Sequence, residues 1–88
     1  MSDLEFDVLD ELYFVQSYGK LKDTLSWDDD MLRDTLIKLL EKGWIRCFIT
    51  PNEEIFKFDI DLVTSYRKYY YLASKEGLFA HNSTDHYE

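Results

Sequence analysis

Residues 31 to 40, "MLRDTLIKLL", constrain this chain more than any other stretch. Met31, Leu32, Thr35, Leu36, Leu39 and Leu40 recur at i, i+1, i+4, i+5, i+8 and i+9, which puts all six on one broad face of an α-helix. Lys42 stands at the negative end of the helix dipole, and Gly43 just past the cap, where a left-handed residue commonly stops a helix. The pattern predicts a helix over about 27–42, with Ser26 as its N-cap and Asp29 three residues on. A length of 88 residues allows one small domain around it, and the aromatic share of 17% is enough to build a core at that size.

The flanks supply the other elements. "SDLE" at 2–5 is a capping-box pattern, and Leu4, Val8, Leu12 and Val15 follow at helical spacing, predicting a first helix over about 3–16. Gly19 interrupts the pattern, and "KLKDTL", 20–25, is short enough to form one or two turns only if Leu21 and Leu25 pin it to a neighbour. "WIRCFIT", 44–50, reads as a strand, Pro51-Asn52 as a turn and "IFKF", 55–58, as a second short strand. Residues 59–67 fit either a helical face through Leu62, Tyr66 and Tyr69 or an irregular loop. "KYYYLA", 68–73, reads as strand, and Ser74 caps a last short helix with Leu78 and Phe79 facing inward. The expected organisation is one domain over 1–82 and a flexible tail over 83–88.

Three helices, a strand, a loop, a second strand and a terminal helix is the order of a winged helix-turn-helix domain, an α+β (mainly α) fold with a small antiparallel wing sheet. "LIKLLEKGWIRC", 36–47, resembles the end of the recognition helix and the first wing strand in transcriptional regulators of the multiple-antibiotic-resistance (MarR) and PadR type. "YYLASKEGLFA", 70–80, resembles their second wing strand running into a Ser/Thr-capped helix, with Ser74 and Gly77 at the cap and glycine positions. The resemblance covers roughly residues 4–80. It implies a DNA-reading helix over 27–38. The chain departs from the pattern at Ala73, an extra residue between Leu72 and Ser74, and in the length of the segment between the wing strands, about 50–67.

Charge argues against that employment. Formal net charge is −8, from 10 Lys+Arg against 18 Asp+Glu. The expected recognition face comprises Trp27, Asp28, Asp29, Asp30, Arg33, Asp34 and Lys38, so four acids oppose two bases where phosphates would lie. Arg33 is the single expected base reader. Residues 50–67 carry Glu53, Glu54, Asp59 and Asp61 against Lys57 and Arg67. First-turn carboxylates also have a purely structural use, since the helix dipole stabilises each by about 0.3–1 kcal/mol.

Two functions stay open at this level: an acidic protein-interaction or regulatory module, with a protein partner or a second copy, and a DNA-binding regulator, which the charge disfavours. Tyr66, Tyr69, Tyr70 and Tyr71 are candidate interaction aromatics if their strand leaves one side uncovered, and core residues otherwise. Trp27 is a candidate partner anchor and Trp44 a core residue. No catalytic residue, cofactor or metal is expected. Cys47 lies in an alternating strand without an adjacent base, and His81 and His86 with Asp85 fall short of a rigid ligand set. A lone cysteine, no signal-peptide layout and no apolar run of about 20 residues lead to the expectation of a cytoplasmic chain without a membrane span.

Overall fold

The computed structural model of the chain describes residues 1–83. Helix α1 (Asp3–Glu11) opens on the predicted capping box: Glu5 N–H donates to Ser2 Oγ at 3.1 Å, and Ser2 N–H donates to Glu5 Oε1 at 2.9 Å. It is five residues shorter than the spacing predicts. The reason is tertiary, because the Leu12 carbonyl at its end accepts from Ala73 N–H at 2.9 Å. The chain then enters a two-residue strand, β1 (Gln16–Ser17).

Gly19 does not break the chain. It lies inside α2 (Tyr18–Leu25), whose N-cap is Ser17 and whose buried Tyr18 and Leu21 hold it against the core. Ser26 does not cap the following helix. It ends α2 in the left-handed region, at φ 61°, and its N–H donates to Lys22 O. Helix α3 (Asp29–Glu41) is capped by Asp28, whose carboxylate accepts from Met31 N–H at 2.8 Å. Leu32, Thr35, Leu36 and Leu39 of the predicted face are buried, with Leu40 packed at the rim of the core. At its end Trp44 N–H donates to Leu39 O (2.9 Å) and Gly43 N–H to Leu40 O (3.0 Å), while Gly43 takes φ 76°. This is a complete Schellman closure.

Strand β2 (Ile45–Thr50) follows, then the Pro51-Asn52 turn and β3 (Glu53–Glu54). "IFKF" is therefore not a strand: Lys57–Asp59 form a 3-10 turn, and a second one spans Tyr66–Lys68. The open choice over 59–67 resolves to loop and turn, with Leu62 and Tyr66 buried beneath it. β4 (Tyr70–Ala73) leads into α4 (Lys75–Ser83). The antiparallel sheet has strand order β1-β4-β2-β3. Four helices and a small four-stranded antiparallel sheet make the described residues α+β. α4 ends at Ser83, the first residue of the expected tail; the rest of it, 84–88, lies outside the described residues, as do Asp85 and His86.

The core is one cluster. Val8, Leu9 and Leu12 of α1 meet Leu32, Leu36 and Leu39 of α3 and Tyr71 and Cys47 of the sheet, all fully buried. A charged clasp joins α1 to the end of α3. The Glu5 carboxylate, 3% exposed, sits 2.7 Å from Lys42 Nζ at the far end of α3. Burial raises the Glu5 carboxyl, but the Lys42 hydrogen bond and the Ser2 backbone outweigh it, and the group is held below the ordinary carboxylate range. A group depressed in the folded state adds stability above its unfolded value of about 4.3, and that stability is lost as pH falls through the folded value. Lys42→Met strands the carboxylate and costs about 1–3 kcal/mol at neutral pH. The gap between wild type and variant narrows as the pH is lowered below about 4, which urea titrations at several pH values measure.

Candidate interaction surface

Most charged groups on the face expected to read DNA are paired within the chain. Asp28 caps α3. Asp29 accepts from the Tyr18 hydroxyl at 2.7 Å and from Arg67 Nη2 at 2.6 Å, with Lys22 Nζ at 3.3 Å. These partners hold its carboxyl down at about 2, the Tyr18 hydroxyl contributing most, then Arg67. Asp29 thereby ties α2 and the Tyr66–Lys68 turn to the first turn of α3. Arg33, the expected base reader, lies against Asp34 (3.3 Å) and Asp30 (3.4 Å), with its guanidinium 5.7 Å from the Tyr66 ring centre. Both carboxylates raise its already high pKa. What remains outward on α3 is Asp30, Asp34, Lys38 and Glu41. Arg46, another cation that a DNA surface would enlist, is held by Glu54 at 2.6 Å.

Of the two readings open for the tyrosines, the core one matches their burial. Tyr66, Tyr69 and Tyr71 are buried and Tyr70 is half-buried, so they line the core and do not form an outward patch. Their hydroxyls are used internally: Tyr71 donates to Tyr66 O at 2.6 Å, and Tyr69 accepts from Asp61 N–H at 3.0 Å. Trp27 and Trp44 are both half-buried against the core. Cys47 is fully buried, and burial pushes its thiol up to about 12, leaving it protonated at neutral pH. His81 is buried with its ring stacked on Phe6 at 4.1 Å and its Nδ1 2.8 Å from the Tyr13 hydroxyl. Among the described residues no three His, Cys, Asp or Glu side chains group as metal ligands would, and no helix is long and apolar enough to cross a membrane.

Several strongly exposed apolar side chains lie outside both the α3 face and the tyrosine run. Phe56 is 82% exposed and Phe58 98%, on the 3-10 turn read as a strand, with Val63 exposed further along the same segment. Phe79, expected to face inward, is 74% exposed, and α4 buries Gly77 and His81 instead. Phe79 and Trp44 border an open groove of about 750 Å³ with Lys75, Glu76, Ala80 and Ser83. Covering a phenylalanine ring contributes about 1.5–3 kcal/mol, so each outward ring is a large unused driving force. The signal for Phe56 and Phe58 was present in the text: apolar residues at 55, 56, 58 and 60 exceed what one side of a short strand can bury. Ile55 and Ile60 take the inward places.

Comparison with known proteins returns nothing: no family model, no curated protein and no solved structure matches the chain.

Proposed function

We propose that the chain is a winged-helix domain employed as an acidic protein-docking module, without enzymatic activity. The element order supports the fold reading, as does the α3 terminus at Gly43 running directly into β2. The function rests on one observation: on the helix that would enter a groove, Arg33 is already bound by Asp30 and Asp34, and the aspartates around it face outward. Pulling Arg33 away to reach a base leaves those carboxylates unpaired against phosphate, so the pair and the duplex compete for one guanidinium.

Fluorescence anisotropy against a mixed-sequence duplex tests this. The expected result is no saturable binding at about 50 mM salt. A protein that neutralised 6–10 phosphates would lose about 10³–10⁵ in affinity between about 50 and 200 mM salt. Tight binding with that slope overturns the docking reading in favour of a DNA-binding regulator.

A further inference from the structure

Phe56 and Phe58 are displayed by a segment that is itself fastened down. On one side of them, Ile55 packs against the core and its N–H donates to Cys47 O at 2.9 Å. On the other, Ile60 packs against the core and its N–H donates to Lys57 O at 3.3 Å. Between these anchors Asp59 N–H donates to Phe56 O at 2.9 Å and closes the 3-10 turn. The following bend is held by Asp61, which accepts from Val63 N–H, Thr64 N–H and the Thr64 hydroxyl. Two rings are thus fixed outward, two positions apart, by a turn that is already ordered. Such pre-ordering lowers the entropy lost on association.

The charge around the rings selects their occupant. Glu53, Asp59 and Asp61 are exposed within five residues of the rings along the chain, against Lys57; Glu54 is paired to Arg46 and Arg67 to Asp29, and the exposed Lys68 stands at the far end of the segment. A second copy brings the same acids and a net charge of −8, so like repels like. Anionic lipid and nucleic acid are repelled in the same way. We infer that Phe56 and Phe58 insert into an apolar cleft of another protein whose rim carries lysine or arginine. This rests on the docking reading above and gives it a surface: the segment between β3 and β4, and not helix α3. Aromatic side chains, phenylalanine among them, are enriched in protein interfaces, and complementary charge across an interface selects the partner.

Photocrosslinking in the cells that express the chain tests it. One full-length variant carries p-benzoylphenylalanine in place of Phe58, and a second carries it in place of Asp34. The expected result is a crosslink from position 58 to a protein whose attached peptide contains Lys or Arg. That protein, purified, binds the wild-type chain. It binds the F56S/F58S double variant on the order of 100-fold more weakly. E53Q/D59N weakens it several-fold and flattens its salt dependence. Thermal denaturation of F56S/F58S matches wild type, because neither ring is buried. A crosslink from 58 to a second copy of this chain, or equal affinity for F56S/F58S, overturns the inference. A crosslink from position 34 alone overturns it while sparing the docking reading, and silence at both positions overturns both.

Discussion

Replacing Gly77 by alanine lowers the melting temperature by about 12 °C or more. A Cβ built on Gly77 lies 2.0 Å from the Trp44 carbonyl oxygen, 2.9 Å from its carbon and 3.1 Å from its Cα. All three are backbone atoms at the corner between α3 and β2. They cannot swing aside as a side chain would. The same corner is held from the other direction: Ser74 N–H donates to Trp44 O at 2.9 Å, Ser74 Oγ donates to Gly43 O at 2.6 Å, and Gly77 N–H donates to Ser74 Oγ at 3.0 Å. Moving α4 outward to admit a methyl group breaks this set together. Overpacking a core commonly costs 1–3 kcal/mol, and here about 3 kcal/mol is the lower limit. At about 4–8 °C per kcal/mol for a domain of this size, the shift follows.

Gly19→Ala is the internal control. It has nothing within 4 Å and an ordinary helical position in α2, so the same substitution stabilises by about 0.4–1 kcal/mol through the unfolded chain. Opposite signs at 19 and 77, read by thermal denaturation monitored by circular dichroism, separate a steric requirement from a general intolerance. Equal, small effects at both positions would mean that α4 does not seat on Trp44.

These glycines also show what a sequence reader can see. The capping box at Ser2 and Glu5, the Gly43 stop and the Ser74 cap were legible because each is a local device, complete within four or five residues. The leucine register of α3 was legible because its period is long and regular. The errors have a common cause: a distant group decided the local structure. Val15 and Leu12 continue a helical stripe, yet Ala73 takes the Leu12 carbonyl and β4 draws Gln16 and Ser17 into a sheet. Ser26 has the composition of an N-cap, yet α2 uses it to turn left-handed and Asp28 takes the cap. The aspartate triplet was half legible. Its helix-terminal use follows from the dipole, but the partners Tyr18, Lys22 and Arg67 come from elements that only the fold brings near. On the candidate surface, alternation alone could not say which of Ile55, Phe56, Phe58 and Ile60 face the core. The loop's anchors decide it, and they hold the isoleucines in and the rings out.

The tyrosine run gives the sharpest division between core and surface. Tyr71→Ala costs about 3–5 kcal/mol, the range for deleting a large buried ring. For a domain of this size that is a large fraction of a total stability of about 4–13 kcal/mol. Tyr71 is fully buried in β4, opposite Gln16 of β1 and Cys47 of β2, with its ring edge-on to Tyr69 at 6.4 Å. Its hydroxyl donates to the Tyr66 carbonyl at 2.6 Å, inside the protein. Burial, with Cys47 and the neighbouring tyrosines, raises its pKa, so the hydroxyl keeps the proton it donates. Tyr71→Phe keeps the ring and leaves that carbonyl unpaired, which costs about 1–3 kcal/mol. Tyr70, one position away, points to the other side of the sheet and is half-buried, so Tyr70→Ala stays near or below about 1 kcal/mol. Urea denaturation of the three variants with unchanged m-values reads these differences directly. Comparable losses at 70 and 71 would mean that both sides of β4 are covered.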